Sequence, residues 1–411
     1  MGDFYDDLET RDPAARERAL FAALPAHIAH AKAEAPHFAE LFADVDADAV
    51  IDRAALAALP VTRKSELIER QRARPPFGGL AAVAPGALAN IFVSPGPIYD
   101  PAARRPDYFR LARALHAAGF RAGDIVHNCF SYHLTPAGMM LESAAHALGC
   151  AVVPGGVGNT EQQLQTIAEV RPQAYVGTPS FLKILLDRGR EAGLDLTSIT
   201  KALVSGEALP PSLRAEIAAC GVDCLQCYAI ADLGLVAYES RAKEGMIVDE
   251  GVILEIVTPG SGTPVAEGAV GEVVVTVFTP EYPLIRFATG DLSAVLAGPS
   301  PCGRTNARIK GWMGRADQTT KVKGMFVHPE QIARVLARHP EVGKGRLVVE
   351  RHDDVDVMTL HCEVAGAADG LTEAIVDTLQ AVCKLRGRVS IVPPGSLADD
   401  GKVIDDRRDL P

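Results

Sequence analysis

The chain has 411 residues, long for a single hydrophobic core, so at least two domains are expected. At 48% hydrophobic and 23% charged it has a globular balance, and a net charge of -11 without any basic run argues against a nucleic-acid partner. The opening Met1-Gly2-Asp3-Phe4-Tyr5-Asp6-Asp7 is acidic, and no apolar run could span a bilayer, so a cytoplasmic protein with no membrane partner is expected.

Residues 1–85 read as a helical N-terminal part, with Leu20, Leu24, Ile28 and Ala31 at helical spacing. From Asn90 the pattern alternates. Strands are predicted at Ile91–Val93, Asp124–Phe130, Ala151–Val153, Ala174–Val176 and Lys201–Val204. Helices are predicted at Asp107–Ala118, Ala137–Leu148, Glu161–Val170 and Ser180–Arg190. Such alternation favours a parallel sheet covered by helices on both faces.

The eight cysteines form no framework. Cys220, Cys224 and Cys227 could suggest zinc, but no second ligand pair follows, and Val222–Tyr228 reads as a buried strand. No structural zinc is expected. Between Gly251 and Val277 the chain turns β-rich around Pro259-Gly260 and Ser261-Gly262. After Asp317 a smaller unit reads as βαββαβ, from Thr319–Val322 through helices at Pro329–Arg338 and Leu371–Cys383 to a strand at Arg388–Val392. The fold class is therefore α/β: a large domain over 1–316, made of parallel or mixed sheets flanked by helices plus a β-rich subdomain, and a small α+β domain over 317–411.

Three motifs stand in the last third: Pro283-Leu284-Ile285-Arg286-Phe287-Ala288-Thr289-Gly290-Asp291, Gly314-Arg315-Ala316-Asp317, and Gly401-Lys402. In this order they resemble the adenylate-forming enzymes, and the phenylacetate–CoA ligases most. Two other segments agree: Ser205-Gly206-Glu207-Ala208-Leu209-Pro210, and Leu59-Pro60-Val61-Thr62-Arg63-Lys64-Ser65-Glu66-Leu67. The resemblance spans nearly the whole chain.

It implies ATP-dependent activation of an aryl, phenylacetate-like carboxylic acid as acyl-AMP, followed by transfer to CoA. Two anions must meet in such a reaction, so cations and donors have to offset their charge. By resemblance, Asp291 holds the ribose hydroxyls and Arg315 reaches the nucleotide. Asp317 is the hinge of a mobile small domain, and Lys402 enters for adenylation. Gly206, Glu207, Ala208 and Tyr228 border the nucleotide, and Gly324 borders CoA. Asp232 stands where the family keeps a Mg²⁺-associated Glu. Tyr132, His133 and Ala229 line the acyl pocket. ATP or AMP, Mg²⁺ and CoA are the implied cofactors and partners, with the small acid, and a homodimer is left open.

The chain departs from the family in three places. The phosphate loop reads Val93-Ser94-Pro95-Gly96-Pro97-Ile98-Tyr99-Asp100, with two prolines that lack an N–H, no Thr or Lys, and an Asp100 expected to repel phosphate. Tyr-Gly-x-Ser/Thr-Glu has become Tyr228-Ala229-Ile230-Ala231-Asp232, losing a hydroxyl at Ala231. Of a Cys-x-Cys pair seen in phenylacetate-type relatives, only Cys302 remains. Three readings follow: a CoA ligase; an adenylating enzyme with a carrier-protein or amine acceptor; or a binding protein that holds an acyl adenylate with weak turnover.

Overall fold

The Asp12 carboxylate accepts a hydrogen bond from the Ala15 amide and Pro13 follows it, and from this cap the helix Pro13–Glu34 runs for 22 residues. Phe21, Leu24, Ile28 and Ala31 form its buried stripe, packed with Phe38, Phe42 and Leu56. The structure, a computed structural model, describes residues 4–94, 96–313, 315–316, 320–322, 325–327, 329–352, 355–366, 370–398 and 403–408. Two units divide it: Met1–Thr289 with Ser293–Trp312, and Gly290–Leu292 with Met313–Leu410. Among the described residues no helix is long and apolar enough to cross a membrane.

The first unit is built on a nine-stranded sheet. Five of its strands are parallel, in the order Ala151–Val153, Ile125–Asn128, Ala174–Gly177, Lys201–Val204 and Asp223–Ile230. Gly234–Glu239, Met246–Val248, Arg308–Ile309 and Val295–Leu296 continue it antiparallel. Side chains alternate between two cores, as the period of a strand demands. Ala174, Val176 and Leu203 join the core that holds Leu115, Met140 and Leu141. Tyr175, Ala202 and Val204 join the one that holds Leu164, Leu182 and Leu185. Helices therefore cover both faces.

A second sheet pairs Thr62–Arg63, Phe287–Ser293, Gly271–Val277 and Val252–Val257 in that order. Arg286, from the first of the three motifs, is fully buried beside it. Its guanidinium makes two 3.0 Å bonds to the Glu255 carboxylate and donates to the carbonyls of Ala57, Leu59 and Gly262. This side chain therefore ties the N-terminal helical region to the sheet. A hairpin pairs Asn90–Ser94 with Ile98–Ala102, over the segment that the sequence compares with a phosphate loop.

One expected helix is shorter than its pattern. Asp107–Ala118 is helical only over Ala112–Ala117, because Asp107 and Arg110 take positive φ and the Asp107 carboxylate accepts the Ala112 amide. Burial raises that carboxyl to about 7.

In the second unit, Arg388–Val392, Val355–Val364, Val342–His352 and Ile404–Asp406 form one sheet in that order. Ile332, Val335, Ile375 and Leu379, from Pro329–Leu336 and Leu371–Cys383, join Leu347, Val349 and Leu360 in its core. The expected βαββαβ gains two strands. Met325–Val327 pairs back on Thr320–Val322, and Ile404–Asp406 runs parallel to Val342–His352.

Candidate active site

The parallel strands of the first unit all end at one edge of the sheet, the usual place for ligands in open α/β folds. Gly206 follows Val204 with φ +79, a conformation that only glycine takes without strain. Thr178 and Phe130, which follow the neighbouring strands, are the nearest groups to it, at 3.9 Å from the position of an added Cβ. Ser205 donates to the Cys227 carbonyl at 2.9 Å, joining this turn to the next strand. Glu207 is exposed and accepts from Ser180 at 2.5 Å, and Ala208 is half-buried.

Tyr228 and Ala229 lie at a β-bulge of Asp223–Ile230, both half-buried. The Tyr228 hydroxyl bonds Thr289 Oγ1 at 3.3 Å, and Thr289 donates to the Val273 carbonyl at 3.0 Å. The Thr of Thr289-Gly290-Asp291 thus fixes the Tyr that opens the altered Tyr-Gly-x-Ser/Thr-Glu segment. Cys224 and Cys227 lie in the same strand as free buried thiols, each pushed up to about 12 by burial. Among the described residues no group of three His, Cys, Asp or Glu is placed to hold a metal.

Tyr132 stands on the loop after Asn128, and its hydroxyl is committed within the protein. It donates to Glu142 at 2.6 Å and accepts from Asn128 at 2.7 Å. A Cβ on Gly138 would come within 2.9 Å of the Tyr132 ring, so the glycine lets the ring lie flat against the helix start. His133 is exposed at the loop tip.

Asp232 lies in the turn after Ile230 and is buried. Its Oδ2 receives the Lys64 ammonium at 2.5 Å, with the Lys side chain 21% exposed and the Asp side chain 0%. Asp232 Oδ1 and both oxygens of Asp100 are buried without a hydrogen-bond partner. Burial and then the Asp232 charge push the Asp100 carboxyl well above the usual range, with Lys64 opposing. Asp100 is thus no surface charge facing phosphate, as its sequence position suggested. It is a buried acid whose charged form is disfavoured by burial and by Asp232. The hydroxyl of Tyr282, also influenced by these two acids, has no hydrogen-bond partner either.

In the second unit, Asp291 and Arg315 form an isolated β-bridge, and Arg315 NH1 meets Asp291 Oδ1 at 3.0 Å. The Ala316 amide donates to the Gly290 carbonyl at 2.6 Å, which fastens the two motifs backbone to backbone. Asp317, Gly324 and Lys402 lie outside the described residues. Sequence reasoning missed the role of Lys64, which it quoted only within a family-like segment, and the link from Thr289 to Tyr228. No local pattern signals a pair 168 positions apart such as Lys64 and Asp232.

Residues 107–277 match the family described as AMP-binding enzyme, and residues 324–407 match the AMP-binding enzyme C-terminal domain. The chain is 30% identical over 355 residues to the phenylacetate-coenzyme A ligase of Aromatoleum evansii, covering 82% of this chain and 79% of that protein. Against the phenylacetate-coenzyme A ligase of Thermus thermophilus the identity is 31% over 359 residues, with the same shares. Among solved structures, a 2-hydroxyisobutyryl-CoA ligase with 2-HIB-AMP and CoA in the thioesterification state has the same fold. Its TM-score is 0.81 at 24% identity, over 100% of this chain and 93% of that one.

Proposed function

The chain belongs to the AMP-binding enzymes, in the family of the phenylacetate–CoA ligases, and on that premise we propose that it activates an aryl acid with ATP and transfers the acyl group to CoA. In the first half-reaction a carboxylate oxygen attacks the α-phosphorus and pyrophosphate leaves. In the second the CoA sulfur attacks the acyl carbon and AMP leaves. The observation that carries this reading is the Asp291–Arg315 pair, which joins two motifs of the family at 3.0 Å. A carboxylate accepts ribose hydroxyls, and the guanidinium beside it donates to phosphate oxygens.

Gly206 to Ala208 and Tyr228 are assigned to the nucleotide. Tyr132, His133 and Ala229 are assigned to the acyl side, where Tyr132 contributes ring surface rather than its committed hydroxyl. Magnesium arrives with ATP. Asp232 is assigned to its water shell by its place in the motif, and its carboxylate is buried beside Lys64 in this structure. Asp317 is assigned as the hinge of a mobile small domain, Gly324 to CoA, and Lys402 to adenylation. Lys402→Ala is expected to slow acyl-adenylate formation about a hundredfold, roughly 3 kcal/mol, and to spare thiol transfer from preformed acyl adenylate. Equal slowing of both steps would remove Lys402 from this role.

The competing reading, a nucleotide-binding protein with little turnover, draws on the proline-bearing hairpin at 90–102. Pyrophosphate release with Mg²⁺, ATP and a panel of aryl acids separates the two. Release that depends on the acid, followed by acyl-CoA formation when CoA is added, is the expected result. No release with any acid would favour the binding protein.

A further inference from the structure

The loop after the edge strand Ala151–Val153 is held by one buried amide, that of Gln163. The strand pairs parallel with Ile125–Asn128, so both are followed by loops at the sheet edge where open α/β folds hold ligands. One loop carries Tyr132 and the other is 154–159. A Cβ built on Gly156 would lie 3.9 Å from Tyr132 Cδ2, which places this backbone within contact range of the ring. The Gly156 amide donates to the Asn128 carbonyl at 2.9 Å, and Asn128 Nδ2 donates to the Tyr132 hydroxyl at 2.7 Å.

Gln163 belongs to the helix Thr160–Val170 and is 4% exposed. Its Nε2 donates to the carbonyls of Gly156 and Gly158 at 3.1 and 2.6 Å. Its Oε1 accepts from Cys129 Sγ at 3.0 Å and from His127 Nε2 at 2.8 Å. Both N–H groups and both lone pairs are used, which fixes the amide in one orientation. Burial raises the Cys129 thiol and lowers His127, so each favours the uncharged form that can donate here. Gly155 is part of the same fit. A Cβ there would come within 2.8 Å of Gln163 Oε1 and force the amide away. Gln163 thus ties the 156–158 backbone to the strand whose loop carries Tyr132.

We propose that Gln163 is a positioning residue for the acyl pocket, holding the 155–158 loop beside the Tyr132 ring and so setting which acids fit. The inference rests on the aryl-acid reading above and adds to it the residue that shapes the pocket. One methylene in an apolar pocket discriminates roughly 10- to 200-fold, so a loosened wall should be visible in the choice of acid. Adenine and ribose are assigned to other segments, Gly206 to Ala208, Tyr228 and Asp291. ATP should therefore be spared.

The test uses the full chain with Gln163→Met, which keeps the length and loses both N–H donors, and Gly156→Ala. Acid-dependent pyrophosphate release is measured over aryl acids of graded ring size. Gln163→Met is expected to raise the acid KM roughly ten- to a hundredfold, leave the ATP KM within about twofold, and alter the ranking of acids in kcat/KM. Gly156→Ala leaves the amide intact and adds a methyl toward Tyr132, so it should penalise the bulkiest rings most. It decides the matter even if Gln163→Met fails to fold. An unchanged acid KM overturns the proposal. So does a fall in kcat that is equal for every acid, which a merely structural role would give.

Amide hydrogen exchange across 155–159, read without any substrate, tests the lock apart from turnover. Faster exchange there in Gln163→Met than in the parent is expected, and unchanged exchange overturns the lock. A parent protein that releases no pyrophosphate with any acid defeats the aryl-acid reading, and the role of Gln163 falls with it. A parent that turns over, beside variants with an unaltered acid profile, defeats this inference alone.

Discussion

Two acidic sites of this chain, both met by a cation, are built on opposite principles. Asp291 and Arg315 pair at 3.0 Å, and both side chains are partly open, 11% and 23% exposed. Asp232 and Lys64 are also paired, but Asp100 adds a second buried carboxyl with neither oxygen bonded. The first arrangement keeps a carboxylate and a guanidinium partly at the surface. The second spends its charge inside the protein. The motif residues are kept at Asp291 and Arg315, assigned above to the nucleotide, and altered over 93–100, the segment compared with the phosphate loop.

The largest expected effect comes from removing the cation paired with Asp232. Lys64→Met leaves Asp232 with a buried, unpaired charge, and losing one partner of such a pair costs about 3–5 kcal/mol. The partial exposure of Lys64 places the expectation at the lower end of that range. Urea unfolding of the parent and variant measures it. Adding Asp232→Asn to Lys64→Met should restore most of the loss, because the orphaned charge is gone. A loss below about 0.5 kcal/mol would place the pair among ordinary surface salt bridges and undo the contrast drawn here.

Asp100→Asn sharpens the same contrast with the opposite sign. The folded-state pKa of Asp100 is raised by burial and by Asp232. A group raised in this way is protonated in both states below its unfolded pKa of about 3.9, where it costs nothing. As pH climbs above that value the unfolded chain sheds the proton more readily, so stability is lost toward the folded pKa. An amide is a permanent stand-in for the protonated acid and can donate to the open Asp232 Oδ1. The variant should therefore gain on the order of 1–3 kcal/mol at neutral pH, with the gain vanishing near pH 4. A gain of the same size at pH 4 and pH 8 would mean that protonation of Asp100 is not its source.

How much of this was legible beforehand follows from the range of each signal. Strands and helices from Ala151 to Val204 carry their own periodicity, and they stand close to where the sequence places them. The helix start at Asp107 was misread because the side chain caps Ala112 from five residues away and Pro106 precedes it. Asp291 and Arg315 were found through motif strings, being only 24 positions apart with recognisable neighbours. Asp100 was found as a departure and given the wrong environment, since nothing local tells a strand residue which face will be covered. The family-like segment includes Lys64 but not its partner, which appears only once the turn at Asp232 is folded against it.

The smallest expected effect bears on the comparison most directly. AMP should bind more tightly than a non-hydrolysable ATP analogue, by about tenfold, or roughly 1.4 kcal/mol. The contacts assigned to adenine and ribose, at Gly206, Glu207 and Asp291, are common to both ligands, so only the β- and γ-phosphates can separate them. A tight grip on those phosphates needs free N–H groups, hydroxyls or an unspent cation. The hairpin offers little of each. Pro95 and Pro97 have no N–H, Ser94 is buried and donates to the Ile98 carbonyl at 3.3 Å, and no Thr stands in the turn. Lys64 is already engaged by Asp232. The two extra phosphates therefore lose water without full replacement, and that cost falls on ATP alone. Calorimetry with each ligand, at matched free magnesium, reads the difference. An analogue that binds tenfold tighter than AMP would show that this hairpin grips triphosphate after all, and that its prolines stand in for a phosphate loop rather than replace one.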